Sequence, residues 1–362
     1  MRRLVQLLLI VTGLLAAAPS AHGAIAIRKD VKDMSAAEKK AFVDAVIKVK
    51  NTKSPFGKNG ISFYDLFVYY HRRVNNLPVD GAHGGPAFLP WHREFLYAFE
   101  SVLIEYSKNE NIAIPYWDWT DPASTRAVFS KDFMGGDGDP RRHHAVVDGP
   151  FRKGRWHIDV PEQLGSKNPF IPRIDQVADH PYIQRAMGWT SRIGTANSLP
   201  TAAEMDRIMG IGQYDAKPWT RDTDPRFSFR CALEGWGRPT KKGLDETGAH
   251  NQVHLWLGGA WEEQGGIQLG TTTGAASPND PVFWLIHSNI DRLWTLWQDK
   301  HGQVYEPVSG APRGHNLRDP LSQFAQLGFG ITDEDIDAGK TLRPIDLLDP
   351  APLQAIYQQP LR

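Results

Sequence analysis

The chain has one cysteine, Cys231, in 362 residues, so no disulfide can close within it. It has no net charge, because 41 lysines and arginines balance 41 aspartates and glutamates. No long run of like charge occurs. That removes the electrostatic footprint expected of a nucleic-acid binder or of a protein held on an anionic membrane. Beyond the N-terminal leader no apolar run is long enough to span a bilayer. No internal repeat or low-complexity tract stands out. The length is enough to bury a substantial core, as one large domain or two smaller ones.

The leader, residues 1–23, reads as a secretory signal. Arg2 and Arg3 supply the charged start, and Leu4 to Ala18 is apolar but short for a membrane span. Ala21-His22-Gly23 resembles a small-x-small cleavage site, which makes Ala24 the first mature residue. The paired arginines lack the rest of a twin-arginine motif, which favours the general export route. An uncleaved anchor is the alternative. The expected location is exported, periplasmic or extracellular, with no membrane attachment after cleavage.

What the chain does have is histidine in context. His83 and His92 bracket Phe88-Leu89-Pro90-Trp91, and His287 follows Asp280-Pro281-Val282-Phe283-Trp284, about 200 positions later. His250 and His254 are four apart, so on a helix both rings leave one face. With His71 these make two groups of three: His71, His83, His92 and His250, His254, His287. Two three-imidazole sites suit a pair of copper ions, since imidazole is a good copper ligand and no thiolate pair is on offer. Twelve tryptophans, several beside these histidines, suggest a dense interior. His143, His144, His157, His180, His301 and His315 lack such surroundings and read as surface or structural residues. The adjacent pair His143-His144 is the one that could bind a metal adventitiously.

The elements follow from capping and periodicity. Ser35-Ala-Ala-Glu38 is a capping box that opens an amphipathic helix to about Lys50. A helix near 62–73 carries His71. His83 sits in a glycine-rich loop. A helix near 90–107 carries His92 and an apolar stripe of Phe95, Phe99 and Leu103. A helix near 249–257 carries His250 and His254 and stops at Gly258-Gly259. Asp280 can cap a helix that starts at Pro281, runs to about Gln298 and carries His287. The expected fold is mainly α: a central four-helix bundle holding a dinuclear copper site, with long loop insertions. Residues 120–248 read as surface loops with short helical pieces, such as one from Thr201 onward. Residues 24–300 form the expected copper-binding domain, and 301–362 a tail packing on the core through Leu342 to Asp349.

These segments resemble the two copper motifs of the tyrosinase family, the type-3 dicopper phenol oxidases. The first runs from His83 through Phe88-Leu89-Pro90-Trp91-His92-Arg93 to Leu96 and Glu100. The second runs from Asp280-Pro281 through Phe283, Trp284 and His287 to Asp291. The flanks Tyr64 to His71, Pro115 to Trp119 and Phe229 to Trp236 are also similar to the family. The likeness covers about residues 26 to 300. It implies two copper ions held about 4 Å apart that bind O2 between them. It also implies a phenolic substrate, ortho-hydroxylation of monophenols, and oxidation of o-diphenols to o-quinones.

The resemblance carries further expectations. Glu234 and Asn251 are the candidate catalytic pair, holding a water that takes the phenol proton. Glu234 precedes His250 by sixteen residues, where relatives have about eight; an inserted loop, Arg238 to Gly248, could bridge the difference. Asp245 and Glu246 are the substitutes, and a surface position for Glu234 the bland alternative. The thioether to the second histidine seen in plant and mould relatives is absent, because its position is Gly81. Ile286 stands where relatives carry another histidine. Thr273 to Ala276 lie over the second copper and are small, which predicts an open mouth. Asp291 could orient a ligand or pair with Arg93 or Arg292. The partners implied are a small phenol, O2 and a candidate copper-delivery protein, with no nucleic acid; oligomeric state is left open. Oxidation of catechols or o-aminophenols without hydroxylation is one alternative. A haemocyanin-like oxygen carrier and a zinc-binding module are others from different classes.

Overall fold

The computed structural model describes residues 27–54, 61–161, 180–189, 196–235, 248–263, 265–321, 342–350 and 356–358. The expected leader, and Asp245 and Glu246, lie outside them. The first helix, α1 (Ala36–Lys50), begins where Ser35 and Glu38 cap each other's backbone amides, as the capping box predicts. α2 (Phe63–Asn75) starts at Ser62, whose hydroxyl accepts from the Asp65 amide. α3 (Phe88–Ser107) is the long central helix, and Lys108 closes it in the left-handed region. α1 packs on α3.

The segment between the two motif regions contains the expected short helical pieces, α4 (Pro122–Val128), α5 (Ala202–Met209) and α6 (Phe229–Glu234). α5 opens at Thr201 with a second capping box. Surface loops were expected over 120–248, yet Phe151, Trp156, Arg185 and Tyr214 are buried. The reason is chemical: these large side chains have apolar area to hide and polar tips that find partners inside. Trp156 donates to the Asn279 carbonyl at 2.9 Å, and Tyr214 donates to the Pro86 carbonyl at 2.6 Å.

α7 (Ala249–Gly258) ends at Gly259, whose φ of 69° suits glycine. α8 (Val282–His301) packs along α3. It starts one residue later than the sequence predicts and ends three residues further on. Asp280 is only partly a cap. Its Oδ1 accepts from the Val282 amide at 3.1 Å, but the carboxylate is mainly gripped by Arg185 at 2.7 and 2.8 Å. Both side chains of that pair are buried, so the bidentate fit must offset their lost hydration.

The described strands are short. β1 (Ile27–Arg28) pairs in parallel with β6 (Ile356–Tyr357), Ile27 opposite Ile356. β2 (Gly138–Asp139) pairs with β3 (Ala145–Val146). β4 (Ala260–Glu263) and β5 (Gly266–Leu269) form an antiparallel hairpin after α7. The chain end packs on the core. Tyr357 is buried, with its hydroxyl between Arg28 and Asp291. Arg93 donates to the Leu347 carbonyl at 2.9 Å, and its guanidinium lies 3.8 Å over the Trp294 ring.

α2, α3, α7 and α8 surround the centre and carry five of the six motif histidines; the sixth, His83, lies in the loop before α3. Behind them stands an aromatic wall. Trp284 stacks on Phe99 with ring centres 3.7 Å apart and donates to the Tyr64 hydroxyl at 3.1 Å. Pairs of this kind add about 1 kcal/mol each beyond their buried area.

Candidate metal centre

All six motif histidines come together, as expected, in two buried triads. Within each triad one ring nitrogen per histidine can be chosen so that all three lie within 4.8 Å of one another. In the first triad the rings of His71 and His83, and of His83 and His92, are 5.0 Å apart. In the second, His250 and His254 are 4.4 Å apart and His250 and His287 4.8 Å. The triads touch: His92 and His287 stack at 4.2 Å.

The outer nitrogens fix the direction of the inner ones. His71 Nδ1 meets the Ala275 carbonyl at 2.6 Å, and His92 Nδ1 meets the Phe88 carbonyl one turn back at 2.8 Å. His254 Nδ1 meets the Thr272 carbonyl at 2.8 Å, and His250 Nδ1 meets the Glu234 carbonyl at 3.2 Å. An imidazole that donates from Nδ1 to a carbonyl presents a bare lone pair at Nε2. These Nε2 atoms turn to the centre. Those of His71 and His92 are buried with no hydrogen-bond partner. His287 Nε2 lies 3.3 Å from that of His250 and 3.4 Å from that of His254. Burial, then the neighbouring imidazoles, push His92, His250 and His287 well below the ordinary histidine range. Burial first, helped by the His83 ring, lowers His71 to about 3 and His254 to about 4. Neutral imidazoles with facing lone pairs and no proton to share fit a cation between them. The donor set also fits copper, because every donor is imidazole and the lone thiol, Cys231, is buried against the Thr223 carbonyl.

His83 is held differently. Its Nδ1 faces the Asp80 carboxylate at 3.1 Å. Burial pulls its pKa down, but the Asp80 charge and hydrogen bond outweigh burial and raise it. The sequence reading missed Asp80; an acidic turn residue beside Gly81, three before a ligand, was the available signal.

Glu234 and Asn251 both reach the site. Glu234 is fully buried, which removes the surface alternative. Its Oε1 accepts from the Gly84 amide at 2.6 Å and its Oε2 from Arg230 at 2.8 Å. Asn251 Oδ1 lies 3.1 Å from His250 Nδ1. Among the described residues no hydrogen bond joins the two side chains. The sixteen-residue spacing is resolved by the backbone. The chain leaves at Gly235 and returns at Gly248, and these glycines touch: a Cβ on Gly235 would lie 2.8 Å from the Gly248 nitrogen. Glu234 therefore stays next to His250.

The remaining expectations sort by contact. Asp291 pairs with Arg93 and with Arg28 at 3.1 Å, whereas Arg292 donates to Asn289. So the Arg292 pairing is not made; Arg292 lies instead over the Tyr116 ring. Ile286 is fully buried. Within Thr273 to Ala276 the Ala275 carbonyl holds His71, and the carbonyl of the preceding Thr272 holds His254. His143 meets Glu263, His157 meets Asp159, and His301 donates to the Met209 carbonyl. His144 packs on Trp261. His315 is buried against the His83 loop.

A helical bundle enclosing paired three-histidine sites defines a type-3 dicopper oxidase. The comparisons agree. The family description "Common central domain of tyrosinase" matches residues 61–300. A tyrosinase of Streptomyces lincolnensis is 37% identical over 294 residues, covering 79% of this chain and 88% of the relative. A tyrosinase of Streptomyces antibioticus is 36% identical over 306 residues, covering 82% and 92%. The grixazone synthase of Streptomyces griseus is 33% identical over 342 residues, covering 89% and 96%. A polyphenol oxidase from Thermothelomyces thermophila shares the fold, with a TM-score of 0.60, 19% identity, and coverage of 98% of this chain and 94% of that one. The chain belongs to the tyrosinase family. It is a copper enzyme that oxidises phenols with O2.

Proposed function

We propose that this is an exported enzyme that both ortho-hydroxylates monophenols and oxidises o-diphenols to o-quinones. The observation that carries the double activity is the position of Glu234, buried beside the first triad through Gly84 and beside the second through His250. When bound, the two coppers supply the activation of O2. The chain supplies the rest. Carbonyl-held imidazoles keep the ligand lone pairs aimed inward without reorganisation. The aromatic wall excludes water from one side. A monophenol must lose its proton to become a good ligand, and a positioned carboxylate lowers that barrier. Each Glu234 oxygen has one protein donor and keeps a lone pair for a water. Asn251, one residue after His250, would orient that water. The charged start, apolar stretch and small-residue site of residues 1–23 support export. A copper-delivery protein is the expected source of the metal.

A second reading has its own observation. Arg230 grips Glu234 in a fully buried ion pair, which occupies one carboxylate oxygen and opposes the upward push of burial on its pKa. Oxidation of catechols or o-aminophenols without hydroxylation would then be the activity. The deciding experiment loads the protein with copper and compares initial rates on a monophenol and on its matching catechol. Comparable turnover of both establishes the first reading. Catechol turnover with no monophenol oxidation, even after a catechol primer, establishes the second.

A further inference from the structure

We propose that Asp80 and His315 form a clamp that positions His83, the one copper ligand outside a helix. The inference rests on the dicopper centre described above and concerns what holds its least supported ligand. Five ligands have helix backbone to fix them. His83 lies between the end of α2 and the start of α3, on a loop with glycines at 81, 84 and 85. A loop of that composition has conformational freedom that must be removed if the imidazole is to point one way.

Asp80 removes it from within. Its Oδ1 accepts from the amides of Ala82 at 2.8 Å and His83 at 3.0 Å, which closes a tight turn. Its Oδ2 accepts from Asn75 of α2 at 3.0 Å, so the turn is tied to the helix carrying His71. The same carboxylate takes the His83 Nδ1 hydrogen at 3.1 Å. That contact leaves Nε2 as the bare nitrogen and makes the ring a stronger donor. His83 is the one motif histidine whose Nδ1 faces a carboxylate; His71, His92 and His254 face backbone carbonyls.

His315 removes the freedom from outside. Its Nε2 donates to the Asp80 carbonyl at 2.6 Å, and its Nδ1 accepts from the Ala87 amide at 3.3 Å. One imidazole therefore pins both ends of the loop. Gly85 is what lets it in: a Cβ there would lie 2.4 Å from His315 Nδ1. Tyr305 fixes the clamp by donating to the His315 carbonyl at 2.7 Å. His315 lies beyond residues 61–300, outside the matched family region.

The test is copper retention. The copper-loaded protein and its Asp80→Ala, Asp80→Asn, His315→Ala and His315→Gln variants are titrated with a Cu(I) chelator such as bicinchoninate, and bound copper is counted. The unsubstituted protein should hold two coppers. Asp80→Ala and His315→Ala should each release one copper at a chelator concentration at least about tenfold lower while keeping the other, the usual scale for losing a residue that orients a ligand. Asp80→Asn keeps an acceptor for the loop amides, and His315→Gln keeps a donor. Both should lie between the alanine variants and the parent, and they carry the test if an alanine variant does not fold. Fewer than two coppers on the parent overturns the centre and the clamp with it. Two coppers on the parent, with unchanged release from the folded variants, overturns the clamp alone. Loss of both coppers together from the variants also overturns it, since that marks general unfolding.

Discussion

His92 of α3 and His287 of α8 stack with ring centres 4.2 Å apart and planes 13° from parallel, although they belong to different triads. The two metal sites therefore share a wall, and displacing either ring disturbs both. That packing follows from α3 lying along α8, the same contact that joins Arg93 to Asp291.

His92→Ala and His287→Ala should each abolish phenol oxidation and lower bound copper from two per chain to one or fewer. His143→Ala and His301→Ala should keep both copper and activity, because their rings face Glu263 and the Met209 carbonyl. Metal analysis beside O2 uptake checks this. A dead His301 variant would contradict the ligand set. Stripping copper from the parent should lower its melting temperature by several degrees, as expected when a ligand binds only the folded state.

Glu234→Gln should depress monophenol turnover at least about tenfold relative to catechol turnover, because a catechol relies less on a positioned base. Asn251→Leu should shift the ratio the same way. The ratio is the readout, since Glu234 also anchors Gly84 and Arg230 and its loss will cost some stability. Equal loss on both substrates would assign Glu234 to structure alone.

Gly248→Ala should damage the second triad. A Cβ at Gly248 would sit 2.3 Å from the Ala232 carbonyl, a rigid backbone atom. Either α6 and α7 separate, carrying His250 away from the centre, or the protein is destabilised by roughly 1–3 kcal/mol. Bound copper and urea unfolding together check this; a variant with parental copper and stability would show that the glycine contact is dispensable.

Asp291→Asn should destabilise the fold by about 3–5 kcal/mol at pH 7, because it leaves Arg93 buried without a carboxylate and Arg28 with Glu100 alone. The pH dependence follows from the carboxylate. Burial alone would raise its pKa, but Arg93 and Arg28 outweigh burial and hold it below the ordinary 3.8. A depressed pKa gives stability that is present above the unfolded value and lost as pH falls through the folded one. The parent should therefore weaken below about pH 4. The variant should start weaker and lose less over that window. Thermal unfolding at pH 7 and in the acid range measures both.

The two histidine triplets, the helices that carry five of these residues and the metal they suit were legible in the sequence because each depends on local rules. Spacing of four puts His250 and His254 on one face, capping boxes set the starts of α1 and α5, and imidazole without thiolate selects copper. Glu234 stood out by its motif, but its sixteen-residue distance from His250 needed the Gly235–Gly248 contact to make sense. Burial of Phe151, Trp156, Arg185 and Tyr214 was not legible, since the Gly, Pro and Asp content around them reads as loop whether or not these side chains turn inward.

What only the tertiary structure decided is which atoms hold the ligands from behind. The carbonyls of Phe88, Thr272 and Ala275 fix three imidazoles, and a carbonyl is present at every residue, so no letter in the sequence marks these. His315 reaches a loop 235 positions earlier in the chain. The sequence by itself determined the two histidine triplets and the metal they suit, because those follow from side-chain chemistry at short spacing. The direction in which each ring points was decided by contacts between distant segments, because an imidazole rotates freely until packing and a hydrogen-bond acceptor stop it.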